Sequence, residues 1–288
     1  MISKKQVRTM ERMKLLLIIK GDKMLGNFKA VLVGGFLLYS NIAMAKLSVA
    51  PQFVLFDKNS PKVQMINVVN SSDEEKTFNV KLLHYRQNVD GTYSAVENED
   101  DKNKFVDNLI FYGPRRFTLG AREAQTIKVQ RKPKANVEAG EYRSHILFQE
   151  AEKEDVAVVS NNPASKGLSF KITALYGVSI PVVVRVGDLF STASLSNIKL
   201  TKKGDSDILN LTINRVGTKS LRGDLSVKYG DVEIGVLKGV NVFLSVDSRN
   251  VSIPLNLEKI NNESLKGKTL RIEYSLDGKM ITHSDFVY

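Results

Sequence analysis

The chain has 288 residues, a formal net charge of +11 and neither cysteine nor tryptophan. This length allows two domains of ordinary size, each with its own hydrophobic core. The absence of cysteine excludes disulfides and every zinc or redox site that depends on a thiolate.

The N-terminal segment has the pattern of a secretory signal peptide. Lys29 precedes an apolar run over residues 30–39, and Ala43-Met44-Ala45 is a small-x-small sequence. This pattern predicts cleavage after Ala45, and the run is short for a membrane anchor. We therefore expect residues 1–45 to be removed on export, with residues 1–23 representing an upstream start in the gene or an extended n-region.

Removal of this segment changes what the charge implies. Residues 1–45 carry eight of the 42 Lys and Arg residues and two of the 31 Asp and Glu residues, so 34 and 29 remain and the net charge falls to +5. A mildly basic chain gives little support to nucleic-acid binding, but it is compatible with an anionic group on a partner.

The first half of the remaining chain predicts short strands separated by turns. Apolar and polar residues alternate in TFNVKLLHY and TIKVQ, and the connectors NSSDEEK, NVDG and GPRR are rich in turn-forming residues. A solvated loop is predicted at 97–104 and a mobile connection at 151–167. The predicted strands cover residues 47–56, 63–69, 77–86, 105–112, 124–131 and 144–149.

The stretch LSFKITALYGVSIPVVVR, residues 168–185, predicts a strand far longer than the usual five or six residues. Strict alternation of this kind predicts one buried face. The apolar parity holds Phe170, Ile172, Ala174, Tyr176, Val178, Ile180, Val182 and Val184, and the other parity includes Lys171, Thr173, Gly177, Ser179 and Arg185.

A second strand series follows the predicted hinge at 186–188. Alternation in ILNLTINR, DLSVKYG and TLRIEYS predicts three strands, and LDGK at 276–279 predicts a hairpin turn. No amphipathic helix is indicated after residue 45. The number and spacing of strands predict an all-β chain with two Ig-like β-sandwich domains, residues 46–186 and 187–288.

The sequence offers little support for an enzyme. The three histidines, His84, His145 and His283, have no second histidine or carboxylate at metal-ligand spacing, so we expect structural roles and no metal. Ser144 and His145 are adjacent, but neighbours on a strand point to opposite faces and cannot act as nucleophile and base. Because no phosphate loop or nucleophile elbow is present, we expect no enzymatic activity and no cofactor. Acid–base pairs between residues distant in sequence are left open.

Several segments, in their order and spacing, resemble periplasmic pilus-assembly chaperones of the PapD-like type, nearer the archaic or alternative branch. The resemblance covers nearly all of residues 46–288 and implies two Ig-like domains in an L or boomerang shape. The segments that carry it are LSVAPQFVLFD, INVVNSSDEEKTFNVKL, FTLGAREAQTIKVQR, GEYRSHILFQE, IPVVVR, NRVGTKSLRGDLSVKYG and LKGVNVFL.

In such chaperones the long strand donates part of itself to a pilus subunit, an Ig-like sandwich that lacks its final strand, and the subunit then passes to an outer-membrane usher. The resemblance also implies a periplasmic location, no cofactor, no nucleic-acid partner and no membrane insertion after residue 45. It leaves open whether the free chain self-associates. The implied donor residues are Phe170, Ile172, Ala174 and Tyr176.

The sequence departs from the family at the basic pair that holds the subunit's terminal carboxylate. Phe53 and Pro181 occupy those positions, and neither side chain binds a carboxylate. Arg143 is the first substitute and Arg185 the second, because arginine grips a carboxylate through two parallel hydrogen bonds. For both residues a structural ion pair is an equally good interpretation, and in the family the match of Arg185 usually forms an interdomain salt bridge.

The main alternative is a structural or adhesive surface protein with tandem Ig-like domains. A pilin should carry an alternating N-terminal extension, whereas the chain after residue 45 begins with a core strand. A periplasmic hydrolase on a β-sandwich is a weaker alternative, because the sequence shows no catalytic constellation.

Overall fold

The computed structural model describes residues 47–100, 102–133, 136–152 and 175–288. In these ranges the chain forms strands, joined by turns and by one short 3₁₀ helix at Leu257–Ile260. None of the helical structure in these ranges is long and apolar enough to cross a membrane.

The first half is a β-sandwich of two sheets. One sheet has the strand order β1-β3-β9-β7, the other has the order β2-β11-β10-β4-β8, and β5 and β6 form a separate hairpin. The strands are β1 (Leu47–Ala50), β2 (Val54–Phe56), β3 (Val63–Asn70), β4 (Lys76–Leu83), β5 (Tyr85–Gln87), β6 (Tyr93–Ala95), β7 (Ile110–Gly113), β8 (Arg116–Leu119), β9 (Ala124–Arg131), β10 (Gly140–Glu150) and β11 (Gly177–Val186).

Alternate residues of these strands fill the space between the two sheets. Ile66 on β3 and Ile127 on β9 come from one sheet, and Ile146, Phe148 and Val182 come from the other, all fully buried. A side-chain period of two places every second residue on the same face, so the apolar alternation in the sequence becomes the core.

Four predicted strands are shorter or divided in the structure. The strand predicted over 168–185 begins only at Gly177, with Leu175 and Tyr176 before it, and residues 168–174 lie outside the described residues. The predicted strand 47–56 divides at Pro51, so that β1 joins one sheet and β2 the other, because proline has no N–H with which to continue a ladder. The predicted strand 77–86 is divided at His84, and the predicted strand 105–112 begins only at Ile110, because Leu109 N–H closes a turn onto Val106 O.

The second half is another sandwich with its own core. Its sheets have the orders β12-β13-β16 and β15-β14-β17-β18. Leu209, Leu211 and Ile213 are buried in this core, as the alternation predicted. The strands are β12 (Ser191–Lys203), β13 (Ser206–Gly217), β14 (Leu221–Tyr229), β15 (Val232–Val242), β16 (Ser248–Pro254), β17 (Thr269–Leu276) and β18 (Lys279–Val287).

The predicted turn at 276–279 joins β17 to β18. Asp277 and Gly278 have φ angles of 50° and 75°, and positive φ at both central residues matches the right-handed twist of the flanking strands. The prediction of an all-β chain with two sandwiches is confirmed. The domain bounds 46–186 and 187–288 stay a proposal, in which the chain between β11 and β12 is the linker.

The β5–β6 hairpin of the first sandwich contacts the second one. The Gln87 side chain donates to Asn241 O (3.2 Å) and accepts from Phe243 N–H (2.9 Å), while Gln87 N–H donates to Ser245 Oγ (3.0 Å). Gln87 is fully buried. Its amide and backbone groups therefore find their hydrogen-bond partners on the other sandwich, as buried polar groups require.

Candidate functional site

The first part of β11 has one unpaired edge. The strand lies between β10 and β2, but β2 pairs only with Val182–Val184, so residues 177–181 have no neighbour on that side among the described strands. Glu150 N–H donates to Tyr176 O (2.9 Å). In an antiparallel ladder every second residue faces the same neighbour, so the backbone groups of Val178 and Ile180 also point toward β10. The backbone groups of Gly177 and Ser179 therefore point to the open side, and an open edge accepts a further strand.

A groove of about 590 Å³ runs beside this open edge. The second wall of the groove is β1, which is itself the edge strand of the other sheet. Leu47, Val49, Val178 and Ile180 line the groove with apolar surface, and Ser179 contributes a polar group. An extended segment bound there would meet free backbone groups and apolar side chains together, the two requirements of strand addition.

The structure describes one member of the predicted donor row. Tyr176 immediately precedes β11 and is 54% exposed, and the neighbouring Leu175 is 40% exposed. Tyr176 has the same parity as Val178 and Ile180, so it extends the core-facing row of β11 beyond the sandwich. Phe170, Ile172 and Ala174 lie outside the described residues, and their role as donors stays a prediction.

Arg143, the first predicted carboxylate anchor, lies with its guanidinium in an enclosed site. Its Nη2 donates to Tyr85 O (2.6 Å), and its guanidinium carbon lies 4.0 Å from the centre of the Phe243 ring. Burial lowers the pKa of Arg143 to about 10, which leaves it charged at neutral pH.

The remaining space beside Arg143 is small. Its buried Nη1 and the buried Oδ1 of Asn103 have no hydrogen-bond partner among the described residues, and both side chains line a cavity of about 10 Å³. That volume accommodates roughly one water molecule. A carboxylate would reach this guanidinium only if Phe243 or residues 102–105 moved.

Arg185, the second predicted anchor, forms an ion pair within the first sandwich that is hydrogen-bonded to Ser220 of the second. Its Nε donates to Glu141 Oε2 (2.9 Å), and its Nη2 donates to Ser220 O (3.0 Å). The same Glu141 oxygen accepts from Ser220 N–H (3.0 Å). Glu141 is only 5% exposed, so its carboxylate needs these contacts to compensate for the loss of water. The geometry therefore supports the structural interpretation of Arg185.

Phe53 and Pro181, the two departures from the family pattern, lie side by side. The parallel register pairs Val54 with Val182 and therefore places the preceding residues opposite each other. Arg222 of β14 lies above Phe53, with its guanidinium carbon 4.8 Å from the ring centre. A cation from the second sandwich thus reaches the position where the resemblance implies a basic pair on the first.

The sequence did not single out Arg222. It belongs to the segment NRVGTKSLRGDL, in which nothing marks it as facing another sandwich. The signal that identifies it is tertiary: it is half-buried, stacks on Phe53 and makes no ion pair with the described residues. Such a guanidinium retains donors for a carboxylate ligand.

Ser144, His84 and Asp107 come together, a combination that resembles a hydrolytic triad. Ser144 Oγ lies 3.0 Å from His84 Nδ1 and 3.4 Å from Asp107 Oδ2. However, Ser144 is fully buried and its oxygen accepts from Val106 N–H, while Phe105 stacks on His84 at 3.8 Å. Since no substrate reaches this oxygen, the geometry favours a structural role. The described residues contain no group of His, Asp or Glu that could hold a metal.

His145 lies in an aromatic cluster between the sandwiches. Its ring makes edge contacts with Tyr85 (5.2 Å), Tyr93 (5.4 Å) and Phe243 (6.4 Å). Burial, together with the charges of Arg143 and His84, lowers the pKa of His145 to about 3. The imidazole is therefore neutral at neutral pH, which avoids a second cation beside Arg143 in an apolar site.

Loss of the Glu141 carboxylate should destabilise the protein strongly. In Glu141→Ala the Arg185 Nε–H and the Ser220 N–H lose their acceptor, and removal of one partner of a buried ion pair costs about 3–5 kcal/mol. Urea unfolding measures the difference. Glu138→Ala is the control, since its pair with Lys104 is exposed to solvent and should contribute little to stability. Equal losses for the two variants would contradict the structural role of Glu141.

His145 should make the protein sensitive to acid. Its pKa is about 3 in the folded chain and 6.5 in the unfolded one, so between these values only the unfolded state takes up the proton. Its contribution to stability is complete above pH 6.5 and falls by up to about 1.4 kcal/mol per pH unit below it. We expect His145→Gln to lose less stability than the wild type between pH 7 and pH 5 in urea titrations. Parallel pH profiles would show that His145 does not titrate in this way.

No family model matches the chain, and no curated protein sequence matches it. Solved structures of pilus chaperones are similar in fold. A chaperone–tip adhesin complex of CFA/I fimbriae biogenesis is 10% identical, with 84% of this chain and 98% of that chain covered and a TM-score of 0.41. The SafB chaperone of Salmonella enterica, solved with the SafA pilin, is 11% identical, with 85% and 97% covered and a TM-score of 0.40.

A third similar structure is the CsuC–CsuE chaperone–tip subunit complex of the archaic chaperone–usher Csu pili of Acinetobacter baumannii. It is 12% identical, with 84% of this chain and 98% of that chain covered and a TM-score of 0.41.

Proposed function

We propose that this protein is a periplasmic chaperone that binds pilus or fimbrial subunits by donating a strand to them and delivers them to an outer-membrane usher. The observation that carries the proposal is the unpaired edge at residues 177–181 of β11 beside an apolar groove. A subunit that lacks one strand exposes the complementary feature, an open groove between two edge strands.

The parity of β11 supports donation by the residues that precede it. Val178 and Ile180 face the core of the first sandwich, and Tyr176 continues their row at an exposed position. The sequence extends the same row to Ala174, Ile172 and Phe170. Full burial of a large apolar side chain contributes roughly 1.5–3 kcal/mol, so three such side chains in a subunit groove would supply enough free energy for a specific complex.

We further propose that Arg222 anchors the terminal carboxylate of the bound subunit. Its guanidinium lies over Phe53, next to the position of Pro181 and close to where β11 becomes paired with β2. Arg143 and Arg185 are less suited, because one is enclosed and the other is held by Glu141. The anchor would then come from the second sandwich, with Phe53 orienting the guanidinium by stacking.

Charged substitutions in the donor row should abolish subunit binding without unfolding the protein. We expect the wild type, tagged and purified from periplasm, to carry a small Ig-like subunit that mass spectrometry identifies, and Ile172→Asp/Tyr176→Asp to carry none. Ser179→Pro should also lose it, because the lost N–H points to the open edge and not to β10.

Tyr288→Asp is the matched control, since this tyrosine is exposed at the end of the second sandwich. If the wild type carries no subunit, or if the donor-row variant carries as much as the control, strand donation is wrong. A structural or adhesive role then becomes the better hypothesis.

Loss of Arg222 should weaken the complex with the identified subunit while leaving the fold intact. A charge-assisted hydrogen bond contributes about 1.5–3 kcal/mol, so we expect Arg222→Ala to raise the Kd of the subunit about tenfold or more, measured by calorimetry. Arg116→Ala, at an exposed site on β8, is the control and should leave Kd unchanged. A subunit with an amidated C-terminus should bind both forms equally, and a persistent difference would exclude the carboxylate as the partner of Arg222.

A further inference from the structure

The outer face of the sheet that contains β3, β9 and β7 exposes large apolar side chains. Met65 is 52% exposed and Phe111 is 60% exposed. The residues that alternate with them on the same strands, including Ile66 and Ile110, are buried in the core. The solvent face of an antiparallel sheet is usually polar, so this exposure needs an explanation that is separate from the core.

The register of the three strands brings these side chains together around a lysine. Lys128 of β9 lies directly between Met65 of β3 and Gly113 of β7. Two residues further along the strands, Gln130 of β9 lies between Val63 of β3 and Phe111 of β7. A side chain added at Gly113 would meet nothing within 4 Å, so one side of Lys128 is open. Met65 and Phe111 thus lie diagonally across two strand spacings and two residues, roughly 12 Å apart, on either side of the strand that carries Lys128.

The positive charge on this face is not compensated. Lys132 Nζ lies 4.4 Å from the centre of the Phe111 ring, and Lys62 precedes β3 at an exposed position. Lys62 and Lys128 form no ion pair with the described residues, and none of the outward-facing residues of β3, β9 and β7 is acidic. We refer to Lys62, Met65, Phe111, Lys128 and Lys132 together as the basic patch.

We propose that the basic patch docks the protein peripherally on an anionic lipid surface. Lysines attract anionic headgroups, while exposed aromatic and thioether side chains enter the boundary between headgroups and acyl chains. The long apolar stems of lysine let the ammonium remain at the headgroups while its methylene groups cover apolar surface. All three cations are lysines, a residue depleted from protein–protein interfaces, and this composition favours lipid over a protein partner.

The basic patch is separate from the site proposed for the pilus subunit. The strand-addition groove includes β1, whereas β7 lies at the opposite edge of the same sheet. A protein docked on lipid through the basic patch would therefore keep the open edge of β11 available. The proposal does not depend on the identity of the subunit.

The test is sedimentation of the purified protein with vesicles of phosphatidylcholine alone and with ~30% phosphatidylglycerol. We expect binding only to the anionic vesicles and a loss of binding at high salt. Lys128→Ala should weaken the partition about fivefold, since each lysine near such a surface contributes about that factor. Met65→Ser/Phe111→Ser should weaken it further, with thermal unfolding of each variant confirming the fold.

Lys238→Ala is the control, because it removes an equal charge from an exposed position on the second sandwich. Equal weakening by Lys128→Ala and Lys238→Ala would overturn the proposal, since net charge alone would then explain binding. The proposal would also be overturned if the wild type failed to bind anionic vesicles. A photo-crosslinking residue at position 111 that labels a protein instead of phospholipid in cells would identify the patch as a protein interface.

Discussion

The proposed site depends on backbone groups of β11 that have no strand beside them among the described residues. They are unpaired because β2 begins only at Val54, opposite Val182. The three residues of β2 cover β11 at Val182–Val184 and leave the preceding residues without a neighbour. Had β2 been longer, β11 would be an interior strand over its whole length and the groove beside β1 would be closed. Pro51 has a direct part in this arrangement, because the chain leaves one sheet there and begins β2 in the other. The same interruption therefore creates both walls of the groove.

The two faces of strand β10 contact different parts of the molecule, the core of the first sandwich and the surface of the second. Ile146 and Phe148 point into the first core. Glu141, Arg143 and His145 share the opposite face, and all three contact the second sandwich. Glu141 accepts a hydrogen bond from Ser220 N–H, Arg143 stacks on Phe243, and His145 belongs to the aromatic cluster that includes Phe243. Arg143, the first carboxylate anchor predicted from the sequence, is therefore used for packing against Phe243. Arg222, a half-buried cation that forms no ion pair with the described residues, comes from the second sandwich.

Burial between the two sandwiches decides which polar side chains carry a charge. Arg143 retains its charge and His145 does not, because desolvation and a neighbouring cation act against a second charge in the same apolar surroundings. Gln87 is satisfied only when the two sandwiches are together. Contacts of this kind contribute geometric specificity more than free energy. They hold Phe53, Pro181 and Arg222 in a fixed relation next to the open edge of β11.

Local pattern in the sequence determined the secondary structure and the fold class, because side-chain alternation and turn chemistry act over a few residues. Ile146 and Phe148, Leu209 and Leu211, and the Asp277-Gly278 turn were all predictable in this way, and so was the apolar parity that Tyr176 shares with β11. Only the tertiary structure decided which residues meet across sheets and sandwiches. The division at Pro51 places β1 and β2 in different sheets. The contact of Ser144 with His84 and the stacking of Arg222 on Phe53 join residues far apart in sequence. Such contacts depend on strand order and register, and the alternation of a single strand carries no information about either.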